Sequence, residues 1–188
     1  MTQFLETLRQ EHRNMETLLR VLEGEFSIFA RAERPDYEVV QAVISYFQDY
    51  PDSCHHPKED VMFAKLRARD PAAAARVGDI EAEHRNGAER LHLVARAVAS
   101  VLGEQEVLRQ TVGDIVRDFI DKERRHIEME ERVLFPAAAK ALRPEDWAEI
   151  DATLTGDSAL NRNNEEKFNA LRQQILQWQQ ENVSGALR

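Results

Sequence analysis

The chain has one cysteine, Cys54, in 188 residues. No intrachain disulfide can form from it, and no cysteine-based zinc or iron–sulfur site; a reducing, cytoplasmic location is expected. Glycine, at 7, and proline, at 6, are too scarce for a loop-rich all-β fold. No run of about 18 apolar residues is present, so no membrane span is expected. The opening MTQFLETLRQEHRN is amphipathic and charged, without the apolar stretch of a signal peptide. Long Lys/Arg runs are missing as well. With Lys+Arg at 25 against Asp+Glu at 34, the formal net charge is -9. Nucleic acid and anionic membranes are therefore not expected partners, because binding phosphates needs a positive field.

What is present is helical periodicity. Hydrophobic residues make up 43% and charged residues 31%, a globular balance at a length that buries a core. Leu5, Leu8, His12, Met15, Leu19, Leu22, Phe26 and Phe29 recur at steps of 3 and 4, a helical stripe that Thr2 is placed to cap. Pro35 and Asp36 open a second helix to about Arg69, its stripe running Val40, Val43, Phe47, His55, Glu59, Met62 and Leu66. Pro51 and Pro57 should kink it. A third helix is expected over 72–102, stopped by Gly103, and a fourth over 104–134 with Leu108, Val112, Phe119, His126, Glu130 and Val133 inward. The predicted fold is all-α: an antiparallel up-down four-helix bundle over residues 1–142. A C-terminal helical extension, 143–188, should pack on the bundle or a partner and offers a route to a homo-oligomer. In it, Thr155 to Asn164 reads as a polar turn, before a stripe of Phe168, Leu171, Ile175 and Trp178.

The sequence repeats itself. EHRN occurs at 11–14 and again at 83–86; HHPKE at 55–59 and HIEME at 126–130 share the pattern H-x-x-x-E. Each half is thus a helical hairpin with one His on its first helix and a His–Glu pair on its second. Residues i and i+4 share a helix face, so His12, His55, Glu59, His84, His126 and Glu130 can converge in the interior. Four imidazoles and two carboxylates suit two metal ions with the Glu residues bridging, and iron, zinc and manganese all accept these donors. A lone inward His is commonly a satisfied core residue, and H-x-x-x-E arises easily in charged helices; the duplication of the whole arrangement favours metal. Without metal, buried carboxylates are costly, so Glu59→Gln is expected to stabilise the metal-free protein.

The segments EHRN around His12, HHPKEDVMF from His55, EHRNG around His84 and HIEMEERVLFP from His126 resemble the hemerythrin-like family of HHE cation-binding domains. The resemblance covers residues 1 to about 142. It implies a four-helix bundle with two non-haem iron ions, His12, His55, His84 and His126 as ligands and Glu59 and Glu130 as bridges. It also implies a small diatomic ligand or peroxide as partner. The oxygen-carrying members have a second His where this chain has Ala88, and a bridging Asp five residues after the last His, where Glu130 here follows after four. The set is closer to di-iron proteins linked to iron–sulfur cluster repair, whose extra cysteine-bearing domain is not found in these 188 residues. The expected function is binding or sensing of O2, NO or peroxide, or iron handling in oxidative or nitrosative stress. The alternatives are a di-iron enzyme (oxidase, peroxidase-like or cluster repair) and an interaction protein with a structural metal.

Other candidates are set aside. His56 matches Ile127 in the second half, which cannot ligate. His92 is expected to be exposed or flanking, and Glu81 and Glu123 to lie on solvated faces. Asp60 and Glu131 either accept from ligand imidazoles or are surface charge. Cys54 is expected to be a small buried residue.

Overall fold

The computed structural model describes residues 3–155 and 158–185. Among them the chain is all-α, without strands. The helices are α1 Gln3–Ala30, α2 Tyr37–Tyr50, α3 His56–Arg69, α4 Pro71–Val77, α5 Ile80–Leu102, α6 Arg109–Met129, α7 Phe135–Ala141, α8 Pro144–Thr155 and α9 Ser158–Gly185. Thr2, the expected cap of α1, lies outside the described residues. Asp36 caps α2, its side chain accepting from the amides of Glu38 and Val39.

Two π-helical turns join helices without a break: Pro51–His55 between α2 and α3, and Glu130–Leu134 between α6 and α7. Each closes with an i to i−5 bond, from the His56 amide to the Pro51 carbonyl and from the Phe135 amide to the Glu130 carbonyl. Each is followed one residue later by proline, Pro57 or Pro136. Proline has no N–H to donate, and its ring clashes with the carbonyl four residues back. The widened turn relieves that clash, so the chain bends without stopping. The expected kinks at Pro51 and Pro57 are this one turn.

The third helix departs from expectation. It is divided at Gly78, whose φ of 93° lies in the left-handed region, and Asp79 caps the new start at α5 by accepting from the Ala82 amide. The fourth begins at Arg109 rather than 104, which leaves Leu108 76% exposed, and Val133 is also exposed. The polar turn expected over 155–164 is largely helix, since α9 already runs from Ser158.

α1 packs on α6 and α2, and α5 packs on α6 and α2, which closes a ring of four. The apolar core inside it has two parts. One gathers Met15, Leu19, Phe47, Leu91, Phe119 and their neighbours; the other gathers Leu8, Met62, Leu66, Ile80 and Leu134. Along the chain the order alternates: Leu8 before Met15, Phe47 before Met62, Ile80 before Leu91, Phe119 before Leu134. Between the two parts along the chain lie His12, then His55 and Glu59, then His84, then His126 and Glu130.

The last two helices add to these parts. On α9, Phe168 and Ile175 are buried in the first, Phe168 lying edge-on to Tyr46 and Tyr50 at 5.9 and 5.4 Å. On α8, Ile150 is buried in the second, and Trp147 lies 5.8 Å from Phe4. Arg69 donates to both carboxylate oxygens of Asp146 and fastens α3 to α8.

Gly78 offers a direct test of the break in the third helix. No heavy atom lies within 4 Å of the position a Cβ would take there. With ψ at -156°, in a region open almost only to glycine, Gly78→Ala should therefore cost backbone strain alone, about 1–3 kcal/mol. It should lower the urea midpoint at unchanged slope; an unchanged midpoint would show that the left-handed conformation is not required.

Candidate metal centre

The polar layer between the two apolar parts consists of the repeated motif residues. His12 on α1 is one and a half turns or less from both Leu8 and Met15, and so belongs to the same buried stripe. His55 ends the first π turn and Glu59 lies in the first turn of α3. His84 sits on α5, His126 in the last turn of α6, and Glu130 opens the second π turn. Glu59 and Glu130 are wholly buried, His12, His55 and His84 are buried, and His126 is nearly so. All six residues singled out from the motifs are brought together.

Each carboxylate faces both halves. Glu59 presents Oε1 to His12 Nε2 at 3.6 Å and His55 Nε2 at 3.3 Å, and Oε2 to His84 Nε2 at 3.6 Å. Glu130 presents Oε2 to His12 Nε2 at 3.3 Å, and Oε1 to His126 Nε2 at 3.0 Å and His84 Nε2 at 3.7 Å. None of these four oxygens has a hydrogen-bond partner, nor do the Nε2 atoms of His84 and His126. Buried polar atoms left unpaired in this number are costly, about 1–3 kcal/mol each.

The tautomers sharpen the picture. His12 Nδ1 donates to Glu131 at 3.1 Å, and His55 Nδ1 donates to Glu11 at 2.7 Å. A carboxylate only accepts, so both rings carry a proton on Nδ1, and Nε2 is the atom left to face the centre. Those two Nε2 atoms are 3.1 Å apart. Nitrogens this close repel, whether as two lone pairs or as two N–H groups, unless a single proton or a cation lies between them. The donor set fits metal: His12, His55, Glu59 and Glu130 form one group whose donor atoms lie within 4.8 Å of one another, and a second holds Glu59, His84 and His126 with His56.

His56 was set aside from the motif, and the structure places it here. Its ring stacks on His84, with centroids 3.6 Å apart and planes 8° from parallel, and its Nδ1 donates to Asp52 at 2.9 Å. Two ligands of one ion radiate from it and do not stack face to face, so His56 as placed supports the His84 ring. Burial pushes the His56 pKa down to about 4, which keeps it neutral. His92 is exposed, as expected.

Glu123 is a correction. It does not lie on a solvated face but lines the inner wall near His84 and His126, where burial pushes its carboxyl above the usual range. Its counterpart in the first half, Asp52, has His56 as partner; at the place of His56 the second half has Ile127. Glu81 is exposed. Of the two outer acids, Glu131 holds His12, whereas Asp60 is 3.7 Å from His84 Nδ1, too far for a hydrogen bond. Cys54 is buried, and burial raises its thiol pKa.

Two residues were missed. Glu11 holds His55, and Lys58 donates to Glu11 and to Glu165 of α9. The repeat offered a signal, since EHRN includes the Glu in both copies, but only one copy uses it. Glu83 stays exposed because the second half has Met129 where the first has Lys58, and no cation draws the acid inward.

The acids and imidazoles compensate each other. For His12, burial opposes protonation, yet Glu130 and Glu59 outweigh it and raise the pKa to about 9; His55 and His84 are raised to about 10 in the same way. Glu130 is pushed up by burial and by Glu59, but the imidazoles hold it down at about 2.

Hemerythrin HHE cation binding domains match residues 3–138 of the chain. No curated protein and no solved structure matches it.

In the metal-free protein the raised imidazoles stabilise the fold fully below about pH 6.5, the unfolded His value, and lose that effect as pH rises through 9–10. The lowered carboxylates act above about pH 4.5 and lose their effect toward pH 2. Metal must displace the imidazole protons, so its apparent affinity climbs with pH over the same range. The gap in melting temperature between metal-loaded and metal-free protein should therefore widen from pH 6 to pH 9. Melts at pH 6, 7.5 and 9 test this, and a constant gap would contradict it. Metal-free Glu59→Gln should melt below metal-free wild type at pH 6, the reverse of the expectation from burial alone, because an amide removes one of the carboxylates facing each of three imidazoles and leaves Glu130 for His12 and His84 and Glu11 for His55.

Proposed function

Because the chain belongs to the hemerythrin HHE cation-binding domain family, we propose that it is a non-haem di-iron protein that binds or senses O2, NO or peroxide, or handles iron in oxidative and nitrosative stress. The frame is an antiparallel up-down four-helix bundle over residues 1–142, with 143–188 as a helical extension. The alternating order of the two core parts along successive helices supports that topology.

In this reading His12 and His55 hold one ion, His84 and His126 hold the other, and Glu59 and Glu130 bridge them. Iron is the metal favoured; zinc and manganese suit the same donors. The observation that carries the proposal is the pair of Nε2 atoms 3.1 Å apart beside four buried carboxylate oxygens that accept no hydrogen bond. An iron pair supplies open coordination positions and redox chemistry toward small oxygen and nitrogen species. The chain's own residues fix the tautomers: Glu11 and Glu131 keep the protons of His55 and His12 on Nδ1, and Lys58 keeps Glu11 charged and in place. The stacked rings of His56 on His84 and of Phe135 on His12, the latter at 5.3 Å, restrict ligand rotation. Cys54 stays a thiol in the reducing cytoplasm proposed as the compartment.

Anaerobic iron loading should give about two iron atoms per chain, and oxidation should add near-ultraviolet charge-transfer absorption. His12→Ala, His55→Ala, His84→Ala and His126→Ala should each lower the iron count, whereas His92→Ala and His56→Ala should retain both ions. A wild-type chain that takes up one iron or none overturns the reading.

A further inference from the structure

The surroundings of the two halves differ. Beside His84 and His126 a cavity of about 70 Å³ enters between α2, α5 and α6. Its inner wall carries His56, His84, His126 and Glu123, and exposed His92 stands among the residues lining it. His12 and His55 do not line it. His12 borders an open surface groove instead, and there Glu131 occupies its Nδ1.

Two small residues line the cavity. Gly87 and Ala88 follow His84 by three and four positions, and so share its helix face. A Cβ at Gly87 would reach to 3.6 Å from Glu123 Oε2, an ordinary contact, so larger side chains there would grow into the open space. The volume is about twice the ~30 Å³ that one water occupies in the liquid. That admits a ligand of two or three heavy atoms. The inner wall is polar on the metal side, where His56 and Glu123 can exchange hydrogen bonds with such a ligand.

We propose that a small ligand of the azide or peroxide class binds on the His84–His126 side of the centre, reaching it through this cavity and not from the His12–His55 side. The proposal rests on the two-ion reading above.

The test is optical titration of the oxidised, iron-loaded full chain with azide, with iron counted in the same samples. Gly87→Leu and Ala88→Leu plug the cavity from two positions; Thr17→Trp crowds the groove beside His12. Each plugged variant should retain two iron atoms and bind azide at least tenfold more weakly, and Thr17→Trp should bind it like wild type. The proposal is overturned if a plugged variant with two irons keeps its azide affinity, if Thr17→Trp alone weakens binding, if di-iron wild type binds no azide, or if both plugged variants lose iron. Wild type that fails to take up two irons overturns the two-ion reading instead, so the two failures are told apart.

Discussion

Glu59 and Glu130 sit at zero exposure in the middle of a helical core, and the rest of the structure answers to that. A buried carboxylate is tolerated only with compensating positive charge close by. Here the compensation comes from four imidazoles, on α1, the first π turn, α5 and α6, and those imidazoles are in turn raised by the acids they face. The core cannot be continuous through such a layer. It is divided into two apolar parts that clamp the polar residues from either end, and these supply the hydrophobic stabilisation the layer cannot.

The duplication that builds the layer is imperfect, and its imperfections distribute roles. Lys58 in the first half stands opposite Met129 in the second, and His56 opposite Ile127. The first difference draws Glu11 inward to His55, while Glu83 stays in solvent. The second leaves Glu123 without the imidazole partner that Asp52 has. One half is thereby braced by a chain of charges running from Glu165 through Lys58 and Glu11 to His55. The other is left with room.

The six inward residues were legible because one constraint, a helical face, fixes spacing, and because two copies repeat it. The α1 and α2 stripes and the start of the second helix at Asp36 were legible for the same local reasons. The boundaries that escaped depend on weaker signals. Gly78 breaks a run of alanines that reads as uninterrupted helix, and the Asp79 cap is recognisable only once the break is known. The start of α6 at Arg109 is one turn later than the apolar pattern, since Leu108 continues the stripe yet lies in solvent. The roles of Lys58 and His56 escaped for another reason, and that of Glu11 was signalled only by its place in the repeated EHRN. Their roles come from contacts across helices, Glu11 to His55 and His56 to His84, and the sequence carries no spacing rule for such pairs. Glu123 was misread because an acid on a charged helix ordinarily faces water, and only the missing bulk at Gly87 and Ala88 turns its surroundings inward.

The two π turns fix more than a bend. Each adds one residue to a helical turn, so everything beyond it is rotated by about 100° relative to an uninterrupted helix. Met62, Phe63 and Leu66 reach the core in that rotated phase, as do Phe135 and Ala138 after the second turn. Removing a single residue from 51–54 would bring back the clash of the Pro57 ring and at the same time turn that whole downstream face away from its neighbours. A substitution alters one contact, but this deletion would exchange an entire helix surface for another. Chain length within these two short segments is thus held as tightly as the identity of any buried side chain.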